Sequence, residues 1–292
     1  MTDKLLCIYH ANCADGFTAA WVVRKHFDDA VEFHPGVYQD PPPDATGRHV
    51  LLVDFSYKRS VLLGMARTAL SIRVLDHHKS AMEDLRNIMQ DADLQDGLCP
   101  VSVVFDMERS GAMLAWDEFF PGKSAPRLVQ HVQDRDLWRF SLPHTREVQA
   151  NVFSYEYTFE QWDLIAAELQ DPISYGRFVQ AGEAIERKHF KDIKEFIAAA
   201  AQRKMVSGWE VPVLNAPYFW SSDAGHLMAQ GQPFAACYWD TPAGRVFSLR
   251  SAEDGLDVSE IAKKYGGGGH KHAAGFRLGY DELNRLLEIK EG

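Results

Sequence analysis

Asp76-His77-His78 puts a carboxylate and two imidazoles on consecutive residues, directly after the apolar stretch Ile72-Arg73-Val74-Leu75. Near the other end, Gly266-Gly267-Gly268-Gly269-His270 runs on through Ala273-Ala274-Gly275. Glycines expose backbone N–H groups that can wrap an anion, and a terminal histidine adds a donor or proton carrier. A glycine run by itself is more often a flexible loop than a phosphate cradle. Taken in this order, the two segments point to metal-dependent phosphoester chemistry. Cleaving a phosphodiester at neutral pH needs a nucleophile and a sink for developing negative charge. Two divalent ions about 3.5–4 Å apart supply both. The candidate ligands are His10, Asp15, Asp54, His77 and Asp134, with His78 and Asp136 nearby. Each also has an ordinary reading: His10 as a strand cap, Asp15 as a helix N-cap, Asp54 as a loop residue.

These residues need a scaffold that gathers them. Leu5–Tyr9, Val50–Val53, Ile72–Leu75 and Val101–Phe105 read as buried strands, and segments from Gly16, Ser60 and Gly111 read as helices. Strands alternating with helices predict an α/β domain with a parallel sheet, whose ligands collect at the carboxyl ends of the strands. His10, Asp54 and Asp76-His77-His78 all fall at such ends. Tyr175 to Arg203 reads as one long connecting helix. After it, strand-like stretches at 211–214, 234–239 and 245–249 and helices near 222–229 and 257–265 predict a smaller α+β domain. The expected division is 1–174 for the metal-binding domain, 175–205 for the connector and 206–292 for the second domain.

Composition narrows the function. The 292 residues are 46% hydrophobic, enough for such cores, and the net charge of −10 disfavours long nucleic acid as a partner. A short anionic substrate remains compatible if local cations reverse the field in a cleft. Four scattered cysteines without a Cys-x-x-Cys pair, no signal-peptide pattern and no membrane-length apolar run predict a cytoplasmic protein without a membrane partner. Homodimerisation is left open. Ser110 opens a helix, either as an N-cap or with a phosphate resting on that N-terminus. Asp223 with His226 reads as a surface face and His189 as solvent-facing. Tyr38 receives no role.

His10-Ala11-Asn12-Cys13-Ala14-Asp15-Gly16, Asp54-Phe55-Ser56, Asp76-His77-His78, Ser110-Gly111-Ala112 and Asp134-Arg135-Asp136-Leu137-Trp138 together resemble the DHH phosphoesterase superfamily. The segments around Arg250 and Gly267-Gly268-Gly269-His270 resemble its DHH-associated domain. The match extends over nearly the whole chain and most resembles the branch acting on very short RNAs (nanoRNases) or cyclic mononucleotides. The resemblance implies a hydrolase using Mn²⁺ or Mg²⁺, with two ions. One would be held by Asp15, Asp54, His77 and Asp134, and Asp54 would bridge to a second ion at His10. His78 would sit at the scissile phosphate. Ser110, Arg250, Gly267, Gly268, Gly269 and His270 would bind substrate, with Asp136 in support. Cys13 stands where the family places an aspartate, so the His10-side site is expected to be weakened. Short oligoribonucleotides are the leading substrate. Cyclic mononucleotides, 3′-phosphoadenosine phosphate and polyphosphate are the alternatives, with a non-catalytic nucleotide sensor as a reading of another class.

Overall fold

The computed structural model describes residues 5–285 and divides into two compact units, one up to Glu186 and the other from Arg187. The first contains β1 (Leu5–His10), α1 (Ala14–Phe27), β2 (Val31–Gly36), β3 (His49–Val53), α2 (Arg59–Met65), β4 (Ser71–Asp76), α3 (Lys79–Asp84), α4 (Ile88–Leu94) and β5 (Val101–Phe105). It continues with α5 (Gly111–Phe119), α6 (Arg127–Asp136), α7 (Thr145–Val152), α8 (Phe159–Gln170) and the first half of α9 (Pro172–Ala200). The strands form a wholly parallel sheet in the order β2-β1-β3-β4-β5.

The apolar strand runs serve both faces of this sheet, because successive side chains alternate. Cys7, Leu51, Val53 and Leu75 pack with Trp21, Ala115 and Val129 on one side. Leu6, Ile8, Leu52, Ile72 and Val74 pack with Leu62, Leu85 and Ile88 on the other. The chain leaves β1 towards β2 on one flank and returns as β3 on the opposite flank. That reversal opens a crevice at the carboxyl ends of β1 and β3, where an open α/β sheet places its ligands. Strand β2 was not anticipated. Its sequence, Val-Glu-Phe-His-Pro-Gly, lacks an apolar run because it is an edge strand, where a proline costs no ladder bond.

The second unit comprises the end of α9, β6 (Gln202–Val206), β7 (Trp209–Asn215), α10 (Ser221–Ala229), β8 (Ala235–Thr241), β9 (Gly244–Arg250), α11 (Val258–Lys263), β10 (Gly268–His270) and β11 (Ala273–Leu278). Its mixed sheet runs β10-β11-β9-β8-β7-β6 and is antiparallel except between β7 and β8. Val258, Ile261 and Ala262 of α11 cover one core, with Phe247 and Phe276. Ala224 and Met228 of α10 share another with Ile193 and Cys237. The continuous connector predicted from Tyr175 is α9, beginning three residues earlier at Pro172. Among the described residues, no helix is long and apolar enough to cross a membrane.

Candidate metal centre

The site is assembled at the carboxyl edge of the first sheet. His10 ends β1, Asp54 follows β3, and Asp76 ends β4 and hands on to His77 and His78. Asp15 lies in the first turn of α1 rather than at its cap, which is Cys13. Asp54 adopts φ 54°, a left-handed conformation that a non-glycine residue holds only when its surroundings enforce it. Its amide is fixed by the Leu75 carbonyl at 2.9 Å.

Nε2 of His77 is the focus of the cluster. It lies 3.0 Å from Asp54 Oδ1, 3.5 Å from Asp136 Oδ2 and 3.8 Å from Asp15 Oδ2. The second oxygen of Asp54 lies 3.5 Å from Nδ1 of His10. Two potential ligand groups therefore overlap: Asp15, Asp54 and His77 form one, and His10, Asp54 and His78 form the other, each with donor atoms within 4.8 Å of one another. Asp54 belongs to both.

The electrostatics fit a cation. Asp15 and Asp54 are buried with each side chain only 1% exposed. Burial drives the Asp15 carboxyl well upward, and the charges of Asp54 and Asp136 add to it. Burial also opposes ionisation of Asp54, but His10 and His77 outweigh it and hold this carboxyl well below the usual range. Burial lowers the His77 pKa, yet the Asp54 hydrogen bond and the charges of Asp136, Asp54 and Asp15 raise it to about 10. The converging buried carboxylates thus favour positive charge at His77, as a site built for a cation does. His10 Nδ1 and Asp54 Oδ2 are buried without a hydrogen-bond partner. Oxygen and imidazole donors suit Mn²⁺ or Mg²⁺, so the residues fit the divalent ions the sequence implied.

Neighbouring groups aim the ligands. Asp15 accepts from the Gly111 and Ala112 amides at the start of α5, at 2.6 and 3.0 Å. Gly111 has to be glycine, because a Cβ there would stand 2.3 Å from the Asp54 Cβ. Asp76 Oδ1 accepts from His78 Nδ1 at 2.7 Å and from the amides of His77 and His78. Burial lowers the His78 pKa, and the Asp76 carboxylate more than offsets this, raising it. The Tyr38 ring packs edge-on against His10 and His78, with centroids 5.2 and 6.0 Å apart. Its place came from tertiary packing; nothing in its sequence neighbourhood signals it.

Three expectations are corrected. Asp134, expected as a ligand, has both oxygens engaged. Oδ1 accepts from the Ser141 amide and hydroxyl, and Oδ2 from the Leu142 amide and the Thr145 hydroxyl. Asp136 is the carboxylate brought to His77 instead. A two-residue step on α6 turns a side chain by roughly 200° around the helix, so only one of the pair can face the sheet edge. Ser110, expected to bind substrate, is fully buried and caps α5 through Met113 N, while Asp15 occupies the helix N-terminus offered to a phosphate. The glycine run is not an open loop. Gly268–His270 is strand β10, paired with β11, and a Cβ at Gly267 or Gly269 would meet the Gly275 or Ala273 carbonyl oxygen at 2.1 or 2.5 Å.

The other expected substrate residues lie in the second unit. Arg250 at the end of β9 and His270 on β10 both pair with Ala273, from opposite sides of β11. Arg250 donates to the Ser222 and Ser248 hydroxyls at 2.7 and 3.0 Å. His189 and Asp223, expected at the surface, instead pair at 2.9 Å, with Asp223 buried. Cys13 does not join either ligand group described above. Burial pushes its thiol well up, and the charges of Asp54, Asp136 and Asp15 add to the effect.

Residues 226–291 match the DHHA1 domain family. The chain is 30% identical to the uncharacterized protein R106 of Acanthamoeba polyphaga mimivirus, over 92% of this chain, and spans 66% of that relative's length. Among solved structures it is similar to the DHH domain of a member of the s1p family of ribosomal proteins, with a TM-score of 0.59 and 14% identity over 97% of this chain and 84% of that one. It is also similar to RecJ of Thermus thermophilus, solved in complex with Mn²⁺, with a TM-score of 0.48 and 15% identity over 97% of this chain and 50% of that one. The second unit thus carries a DHHA1 domain, and the chain has the fold of DHH-domain proteins.

Proposed function

We propose that this chain is a metal-dependent phosphodiesterase of the DHH superfamily that hydrolyses short oligoribonucleotides to mononucleotides. The observation that carries the reading is Asp54, shared by two overlapping ligand groups, with one oxygen 3.0 Å from His77 and the other 3.5 Å from His10. Asp15, Asp54, His77 and Asp136 would hold one ion, and Asp54 and His10 are placed to address a second. Such ions would supply Lewis acidity and a water of lowered pKa. His78, oriented by Asp76, meets the phosphate of the scissile bond, and its raised pKa suits it to hold a proton against an oxygen gaining charge. Arg250, in the second unit, is suited to hold a phosphate, as a guanidinium does through paired donors. The net charge of −10 disfavours a long polyanionic strand, which supports short substrates.

The test is hydrolysis of a diribonucleotide, a pentaribonucleotide, a long single-stranded RNA, cyclic mononucleotides, 3′-phosphoadenosine phosphate and polyphosphate, each with Mn²⁺, Mg²⁺ or chelator. Turnover is expected to be fastest on the di- and pentaribonucleotide and absent with chelator. Equal rates on the shortest and longest RNAs sink the short-substrate reading.

A further inference from the structure

In the second unit, the segment Pro217–Ser222 presents aromatic rings in an unusual arrangement. Tyr218–Trp220 is a single 3-10 turn leading into α10. It is firmly held: Trp220 N donates to the Pro217 carbonyl at 3.0 Å, and the Ser221 hydroxyl to the Tyr218 carbonyl at 2.7 Å. Trp220 packs on Phe196 of α9, with centroids 5.7 Å apart, and Tyr218 on Trp239 of β8 at 6.3 Å. Phe219, between the two anchored neighbours, is 61% exposed, and Tyr218 is 54% exposed. A turn that holds two adjacent aromatic side chains more than half in water forgoes much of the stabilisation their burial would bring.

The same segment fixes the guanidinium assigned above to a phosphate. Ser222, three residues after Phe219, accepts from Arg250 Nη2 at 2.7 Å. Gly225, one helical turn on, lets Arg250 lie against α10, since a Cβ there would stand 2.8 Å from the Arg250 Cγ. The cation read above as phosphate-binding and two exposed rings are therefore set by nine consecutive residues, 217–225. That pairing matches a nucleotide, which offers one anionic group and one flat π-face a few ångströms apart.

We infer that the turn Tyr218–Trp220 is a nucleobase platform: Phe219, flanked by Tyr218, stacks the base of a nucleotide whose phosphate Arg250 holds. The inference rests on the reading of Arg250 given above. Stacking tolerates any base, so the platform confers preference for nucleotides over base-free phosphates rather than for one sequence.

The test is calorimetric titration of the full chain, in chelator so that nothing turns over, with adenosine 5′-monophosphate and with ribose 5-phosphate. The wild type is expected to bind the nucleotide at least about fivefold more tightly than the sugar phosphate. Phe219→Ala and Phe219→Leu are expected to abolish that advantage while leaving ribose 5-phosphate affinity unchanged, because Leu keeps apolar bulk but has no ring face. Arg250→Ala is expected to weaken both ligands. The exposure of Phe219 means its variants should keep the wild-type melting temperature. Equal wild-type affinity for the two ligands overturns the platform, as does a nucleotide advantage that survives in both Phe219 variants. A Phe219 change that alters only the oligomeric mass in solution also overturns it and assigns the rings to a contact between copies. Because the assay reads binding alone, base-dependent binding without any diribonucleotide hydrolysis by the Mn²⁺-loaded wild type would sink the enzymatic reading and keep the platform.

Discussion

Asp136 brings its Oδ2 to 3.5 Å from His77 Nε2, while Asp134, two residues earlier on the same helix, turns away into four hydrogen bonds. The two carboxylates face different neighbours, Asp136 the His77 cluster and Asp134 the segment that follows α6. Asp134 anchors the segment after α6, in which Trp138 and Phe140 hold left-handed conformations at φ 56° and 48°. Its backbone carbonyl accepts from the amides of Arg139 and Phe140 as well.

The substitutions Asp136→Asn and Asp134→Asn should therefore separate. Asp136→Asn is expected to keep the wild-type melting temperature but lower turnover at least a hundredfold, about 2.7 kcal/mol of transition-state stabilisation. Asp134→Asn replaces an acceptor of several donors and is expected to destabilise the fold by about 2–4 kcal/mol. Thermal unfolding and Mn²⁺ titration of both variants check this. An Asp134→Asn protein with native stability and selectively lost metal would reverse the assignment.

Metal removal should abolish activity, and Mn²⁺ should restore it and raise the melting temperature, since the ion binds the folded state and relieves repulsion among Asp15, Asp54 and Asp136. Asp54→Ala is expected to be the most damaging ligand change, lowering bound Mn²⁺ per chain as well as rate. Retention of more than about a tenth of wild-type turnover, a loss below about 1.4 kcal/mol, would exclude a bridging role.

Cys13 sits at the cap of α1 with its thiol held protonated by burial and by the surrounding carboxylates. A neutral thiol is a poor partner for a hard ion. Cys13→Asp is expected to lower the Mn²⁺ concentration giving half-maximal rate, whereas Cys13→Ser should change it little. An unchanged titration in Cys13→Asp would show that the position no longer addresses the metal.

Acidification should weaken the first unit through His131. Burial lowers its pKa from 6.5 to about 4, and its Nδ1 lies 2.9 Å from the Thr145 hydroxyl oxygen. That hydroxyl donates to Asp134, so the imidazole nitrogen is the donor to Thr145. Because the folded-state value is depressed, the unfolded chain takes up the proton first. The contribution is intact above pH 6.5 and is lost as the pH falls towards 4, by up to about 3 kcal/mol. Denaturant unfolding at several pH values should show this slope, reduced in His131→Asn. An identical slope in that variant would assign the acid sensitivity to other groups.

Sequence alone determined the elements that carry the chemistry. The apolar runs at Leu5–Tyr9, Val50–Val53 and Ile72–Leu75 can be buried only as central parallel strands, so His10, Asp54 and Asp76-His77-His78 had to emerge at one sheet edge. Local periodicity likewise marked α5 and the long α9. It could not mark β2, whose edge position asks little of its composition, nor the short β10, whose glycines answer to backbone contacts with β11. The choice between Asp134 and Asp136 was beyond it too. Both are carboxylates on one helix, and their roles depend on which side of α6 meets His77 and which meets the Ser141–Thr145 segment. Ser110 and Asp15 show the same limit: a helix N-terminus binds whichever anion reaches it, and here packing across ninety-six residues of chain delivers Asp15 first. Strand and helix identity follow from a residue's neighbours in the chain, whereas ligand identity follows from neighbours that only folding supplies.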